Sequence, residues 1–534
     1  MNDRGRGRMA RSAIDRLRQP AGQALTVFTW RLKRPLVRGS GLQWLVATLV
    51  CVVLGICTLA IAPLPPRGAP LLMMATLCPF LAMIVGSVRK LFLAIILLDI
   101  PFQLDIHLGY RTEAAELGAI GGLSVSATTV CLVILYALWF AETLTKSPRP
   151  HSRTSVRTSR PLVLYLAFAG LSVIVARDPT LSFYGMFLMV QMFLLYFYVV
   201  GTVRSRQDVL FIVVILLIGL VAEALIMIWV HVAGRDFSFA GISTRVDPQF
   251  TTGLRSRGGG TIGSPNTAAA YLSLLLAPAL SLLMTQLGPR SKWLATLAFG
   301  LAGVALVLTF SRGGWAAFAF SATILCLLAW RRGWLQLRVS FGIGAVGLPG
   351  LLLFRDPILA RLFGYDLGAA YARIPLMKLA FRMIVDNPVL GVGVNNFGAI
   401  IREYATPEFG QEWLYTVHNK YLLIWAEMGF GGLVAYVWFL VETIRRGWQC
   451  FRVNDRFLSP LALGLTAAIA GQMGHMLIDI FNSRPQVQLL WLVAGLITAM
   501  RNMSMQPDDT TQGVVEGREE QMVLRGHEPV TGAD

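Results

Sequence analysis

His418 opens an apolar run, Val417-His418-Asn419-Lys420-Tyr421-Leu422-Leu423-Ile424, which continues through Trp425-Ala426-Glu427-Met428-Gly429. An imidazole, an amide and a carboxylate inside such a run each cost free energy beside hydrocarbon, so together they mark a place where chemistry is done. Positive charge near an imidazole lowers its pKa and keeps it neutral, able to accept a proton. A lone histidine is usually structural; this one stands at a helix start beside Asn419. The second motif is Thr309-Phe310-Ser311-Arg312-Gly313-Gly314-Trp315, whose polar centre separates two apolar stretches. The turn is so short that the Arg312 guanidinium must lie at or just below a membrane interface. Burying it unpaired costs about 2.5–3.5 kcal/mol on insertion scales. A snorkelling arginine at a helix end is the alternative. That alternative runs against the inside bias of basic residues, and Gly313-Gly314 lets a ligand approach the backbone closely, so an anion site is favoured.

Two further stretches add basic groups. The segment 234–266 carries Arg235, Arg245, Arg255 and Arg257, then Gly258-Gly259-Gly260-Thr261-Ile262-Gly263-Ser264-Pro265-Asn266 leading into a helix. Glycines before a helix start can present backbone N–H groups to a phosphate, and arginines fork onto phosphate oxygens better than lysines. The Gly-Lys-Ser/Thr ending of a nucleotide loop is missing, and a merely flexible loop is the other reading. The segment 355–418 holds Arg373, Lys378 and Arg382 near one helical face, with Leu376, Leu379, Ala380 and Met383 alongside. This is an amphipathic interfacial helix, and its basic face is expected to line the way in for a lipid-linked anion. Asp386-Asn387-Pro388 and Gly391-Val392-Gly393 then mark a turn. His475 and Asp479, four apart on one face, and the following Arg484 read first as interhelical hydrogen bonding.

The elements that hold these residues are membrane helices. Of the 534 residues 55% are hydrophobic, and mean hydropathy is +0.61. Apolar runs of about 17–25 residues recur through the chain, each long enough for a bilayer core. Expected spans are 43–62, 69–87, 91–106, 123–144, 161–176, 183–202, 209–233, 267–287, 293–310, 314–330, 339–354, 419–443, 458–480 and 486–500. The fold class is therefore an all-α polytopic membrane protein of about 12–14 transmembrane helices, with a long outer loop containing short amphipathic helices. Its parts are a basic cytoplasmic tail (1–42), the transmembrane domain (43–500, loop about 355–418) and a disordered polar cytoplasmic tail (501–534). No cleaved signal is read at the N-terminus.

The net charge of +18 comes from lysines and arginines in short loops, the orientation signal of membrane proteins, so nucleic acid is not an expected partner. Alternation puts Arg89 and Lys90, Arg204 and Arg206, Arg290 and Lys292, Arg331 and Arg332, and Arg445 and Arg446 on the side of the basic tail. The segments around 234–266, Ser311-Arg312 and 355–418 fall on the other side. The cysteines (Cys51, Cys57, Cys78, Cys131, Cys326 and Cys450) have neither disulfide nor metal spacing. The outer loops hold no carboxylate pair of the glycosidase kind and no aspartate cluster for Mg²⁺.

The order Arg257…Gly263-Ser264-Pro265-Asn266, Thr309 to Gly314, Asn387-Pro388-Val389-Leu390-Gly391-Val392-Gly393 and His418-Asn419-Lys420-Tyr421-Leu422 resembles the O-antigen ligase and O-antigen (exopolysaccharide) polymerase superfamily of bacterial membrane glycosyltransferases. The resemblance covers roughly 160–500. It implies a metal-independent glycosyltransferase without a cofactor, in the inner membrane and working on its periplasmic side. The donor is an undecaprenyl-diphosphate-linked glycan; the acceptor is another glycan or lipid A–core. By the resemblance, Arg257 and Arg312 hold the diphosphate and stabilise it as it leaves, and His418 is the base for the acceptor hydroxyl. Arg255, Asn266, Arg373, Asn419 and Tyr421 are the substrate-binding positions that go with them. Membrane lipids are the other partners, and the two tails point to partners in envelope polysaccharide and lipopolysaccharide assembly. Polymerase and ligase both remain open, with a slight lean to polymerase. The rival class is a transporter or flippase of lipid-linked saccharides, which predicts internal repeats and charges at mid-membrane. No repeat is evident, and Asp99 and Glu223 read as isolated charges.

Overall fold

The computed structural model describes residues 87–145, 159–239, 242–244, 246–247, 257–334, 355–356, 359, 373–405 and 414–505. The expected spans 43–62 and 339–354, nearly all of 69–87, the N-terminal tail, most of the C-terminal tail and Arg255 lie outside the described residues.

Among those residues there are fourteen α-helices and three two-stranded antiparallel ribbons. The order begins with α1 (Val88–Phe102), a hairpin of β1 (Asp105–Leu108) and β2 (Leu123–Ser126) around the short α2 (Thr112–Glu116), then α3 (Ala127–Thr145). It continues with α4 (Arg160–Ser172), α5 (Pro179–Thr202) and α6 (Arg206–Ala233). The short strands β3 (Ser238–Phe239), β4 (Ile242–Ser243), β5 (Val246–Asp247) and β6 (Arg257–Gly258) precede α7 (Pro265–Leu283), α8 (Pro289–Leu308) and α9 (Arg312–Arg331). The chain ends with α10 (Arg373–Asp386), α11 (Phe397–Tyr404), α12 (Lys420–Phe451), α13 (Leu458–His475) and α14 (Arg484–Ser504).

Seven of these, α3, α5 to α9 and α12, are long and apolar enough to cross a membrane. The chain is a polytopic all-α membrane protein. Local signals set the ends: α6 starts in a Ser205–Asp208 capping box and stops at Gly234 in the left-handed region. Pro179 follows the Asp178 cap of α5. Helix α7 is the axis of the bundle, with 83% of its span buried against 28% for α3. Small residues let its neighbours close in: Gly314 of α9 lies against Ala269, and Gly464 of α13 against Ser281. On the periphery Val133, Phe140 and Phe183 remain exposed, as side chains facing acyl chains do.

One end of the bundle gathers the hairpin, the turn before α7, the α8–α9 turn and the loop helices α10 and α11. Polar side chains stitch these pieces together. Asn395 donates to the Ile120 and Leu181 carbonyl oxygens (3.0 and 2.8 Å) and accepts from the Ile120 N–H. Asn396 does the same for Asp178, accepting its N–H at 2.7 Å.

Helix α12 is broken at Gly429 (φ 69°, ψ −177°). The break strands carbonyl groups one turn earlier, and the loop ahead of α11 takes them up. Val392 N–H donates to Ala426 O (2.9 Å), Gly393 N–H to Glu427 O (3.0 Å), and Phe430 N–H to Pro388 O (3.1 Å). Gly391 (φ 68°) sits so close that a Cβ would overlap the Glu427 carbonyl, and one on Gly429 would overlap that of Val389. The motif expected as a turn thus completes a broken membrane helix.

Asp99 and Glu223 are not isolated. Asp99 accepts from Arg484 Nη1 at 2.6 Å, with the two side chains 0% and 5% exposed. Glu223 accepts the Thr261 N–H (2.9 Å) and the Thr261 hydroxyl. Their partners lie far away in sequence, which is why the chain alone hid the pairing.

Candidate functional site

Helix α8 ends at Leu308 and α9 starts at Arg312, so the link is the expected tight turn. Phe310 bends it at φ 49°, and Ser311 caps α9 by accepting from Gly314 N–H. Arg312 is consequently the first residue of a helix N-terminus and is half-buried. Gly313 faces α13: a Cβ there would stand 2.9 Å from His475 Nε2. This glycine is the gap that admits the His475 ring.

Arg257 is 8% exposed and reaches the same turn. Its Nε donates to Thr309 O at 2.9 Å and its Nη2 to Asn266 Oδ1 at 3.0 Å. The glycine run beside it is no open phosphate cradle. Gly258, Gly259 and Gly260 are buried, Gly260 (φ 59°) lies against Glu223, and the Thr261 N–H is turned onto that carboxylate. An anchored loop fixes Arg257 better than a flexible one.

Arg373 begins α10, half-buried, while Lys378 and Arg382 on the same helix are exposed. The buried face is Leu376, Leu379, Ala380 and Met383, the amphipathic pattern expected. That face packs on Leu422, Leu423 and Ala426 of α12 and on Val417. The charge of Arg373 is felt at both His418 and His475.

His418 lies just ahead of α12, half-buried, its ring tilted against that of Tyr415 at 5.6 Å. Burial first, then the Arg373 charge, lower its pKa from 6.5 to about 4, with Asp479 pulling the other way. At neutral pH the imidazole is uncharged. Asn419 caps α12 by accepting the N–H groups of Tyr421 and Leu422 (3.0 Å each), and the Tyr421 hydroxyl donates to Met473 O at 2.9 Å. Both residues therefore position the helix that follows His418. Lys420, 5% exposed, donates to Asn482 Oδ1 at 3.3 Å.

A cavity of about 370 Å³ opens beside His418. Asn266, Asp479 and Arg484 line it together with Asp105, His107 and Tyr110 of the hairpin. Asn266 joins the two halves of the site, touching Arg257 on one side and the cavity on the other. The hairpin residues were absent from the sequence expectation. Their signal was a polar stretch between two spans, too short to stand out. Among the described residues no group of three His, Cys, Asp or Glu side chains is placed to hold a metal ion.

Residues 297–437 match the family model described as O-antigen ligase. The match takes in Arg312, Arg373 and His418 and the loop that completes α12. No curated protein matches the chain.

Proposed function

We propose, from the family match of residues 297–437 and the site around them, that the protein is a bacterial inner-membrane glycosyltransferase. It transfers a glycan from a polyprenyl (undecaprenyl) diphosphate to a sugar hydroxyl on the periplasmic side. The reaction is polymerisation of O-antigen or exopolysaccharide repeat units, or ligation of the finished chain to lipid A–core. The observation that carries this reading is the convergence of separate segments. Arg257 is tied to the turn before Arg312, Gly313 of that turn abuts His475, and Arg373 acts on both His475 and His418.

Each group has a task in such a transfer. When the glycosidic C–O bond to the diphosphate breaks, the leaving oxygens gain negative charge, and fixed guanidiniums in a water-poor site stabilise it without reorganising. Arg257 and Arg312 do this, with the start of α9 aimed the same way. His418, neutral at pH 7, takes the proton of the acceptor hydroxyl as the new C–O bond forms. A free-state pKa near 4 makes a weak base. Burial is the larger cause of that lowering, and an arriving diphosphate would offset the second, the Arg373 charge, and so raise the pKa in part.

The test is a host strain deleted for the gene and complemented with wild type, His418→Ala or Arg312→Ala at matched membrane levels. Surface glycan and the lipid-linked pool are resolved by size. Both variants should fail while lipid-linked units accumulate. Single repeats on lipid A–core then mean polymerase; full-length chains left on the polyprenyl carrier mean ligase. Normal glycan from both variants overturns the assignment and moves the transporter reading ahead.

A further inference from the structure

The cavity beside His418 differs in electrical character from the arginine turn next to it. Among the described residues lining it, Arg484 is the one guanidinium or ammonium group. That guanidinium is already held by Asp99 at 2.6 Å behind the wall and by Asp105 at 3.2 Å in the wall. Asp105 and Asp479 both line the cavity, and His418 beside them is neutral at pH 7. The lining thus holds no guanidinium or ammonium group that is not already paired with a carboxylate, with Arg373 and Lys420 acting on it from behind through His418 and Asn482.

Such a wall offers a diphosphate or a carboxylate no unpaired counter-charge among its lining residues. It suits a ligand rich in hydroxyl groups and poor in negative charge. Asp105 shows how hydroxyls are met: one oxygen accepts from Ser124 Oγ at 3.2 Å and from Arg484, while the other lies 4.0 Å from His107 Nδ1. Carboxylates and amides accept and donate toward adjacent hydroxyls of a pyranose, and aromatic rings cover its C–H face. His107 and Tyr110 supply an edge-to-face ring pair at the cavity, 5.7 Å apart, with Tyr110 55% exposed. A volume of about 370 Å³ is the size of a small-molecule pocket and holds one or two sugar rings.

We propose that this cavity is a subsite for an uncharged saccharide, walled on one side by the 103–126 hairpin, and that the hairpin discriminates against acidic sugars. The proposal rests on the transferase reading above and deepens it. The diphosphate stays at the arginine turn and the sugar enters the cavity, and Asn266, which touches both, marks the boundary.

The test uses the full chain in lipid nanodiscs and saturation-transfer NMR. The probe is the repeat-unit saccharide released by mild acid from the lipid-linked pool of the deletion strain, with inorganic pyrophosphate as competitor. Wild type should bind the saccharide, and excess pyrophosphate should leave that signal in place. Tyr110→Ala and Asp105→Asn should each weaken Kd about tenfold, the worth of one lost polar or stacking contact. If Asp105→Asn fails to fold for want of its bond to Arg484, Tyr110→Ala, altered at an exposed ring, carries the test. No binding by wild type, displacement by pyrophosphate, or an unchanged Kd in Tyr110→Ala overturns the subsite. None of those outcomes touches the transferase reading, which stands or falls on the pool of lipid-linked units in the complemented strains.

Discussion

Arg257 donates through Nε to the carbonyl oxygen of Thr309 across 2.9 Å, joining the segment before α7 to the turn before α9. The same guanidinium reaches Asn266 through Nη2, so its fork is used in two directions at once. A lysine carries the charge on a single nitrogen and lacks the planar fork that places Nε and Nη2 on the two acceptors. Arg257→Lys should therefore lose transfer nearly as completely as Arg257→Ala, by about 10²-fold, the scale of removing one fixed donor from a charge-stabilising site. Initial rates in membranes of equal protein content check this. Full activity in Arg257→Lys would show that charge alone suffices.

With His418 as the proposed base, its pKa of about 4 should set the acid limb of kcat/KM, which reports the free enzyme. Arg373 lowers that pKa, so removing its charge must raise it. The limb in Arg373→Gln should move to higher pH, and the limb in Asp479→Asn to lower pH, because Asp479 acts with the opposite sign. Paired pH profiles decide it. Movement of both limbs in one direction contradicts the assignment of His418 as base.

Gly429 and Gly391 both hold left-handed backbone against a neighbouring carbonyl. Alanine at either should cost more than about 1 kcal/mol and lower the melting temperature in detergent. Gly303, inside α8 with nothing near its absent Cβ, is the comparison. Gly303→Ala should hold or gain up to about 1 kcal/mol. Equal melting of Gly429→Ala and wild type would remove the helix break from the account.

The Asp99–Arg484 pair is buried on both sides. Removing one partner leaves an uncompensated buried charge, at a cost of about 3–5 kcal/mol. Arg484→Leu alone should thus yield little folded protein, and adding Asp99→Asn should recover part of it. Size-exclusion traces of the tagged variants read the difference. A double variant no better than the single would mean that Asp105, the other carboxylate on Arg484, dominates.

Much of this site could be read from sequence because hydrocarbon makes polar residues conspicuous. Arg312 between two apolar runs and His418 at the head of a third stood out, and the structure puts both at one end of the bundle. The amphipathic face of 373–386 was equally visible, since a helical period survives translation into space. Other features stayed hidden for one reason: a contact partner leaves no mark at a distance in sequence. Asp99 and Glu223 looked alone because Arg484 and Thr261 come much later. Asn387 to Gly393 read as a turn, since the break it repairs is seen only once Gly429 is known to leave the helix. Asn419, expected as a ligand-binding amide, also caps α12, a role that any Asn before a helix can take.

Arg484 closes on Asp99 across 385 positions of chain. During synthesis the carboxylate leaves the ribosome 385 residues before its cation. Until α14 is inserted, Asp99 lacks this partner. The pair thus ties the first described helix to the last: a chain cut short before Arg484 leaves Asp99 without the guanidinium it meets in the folded protein.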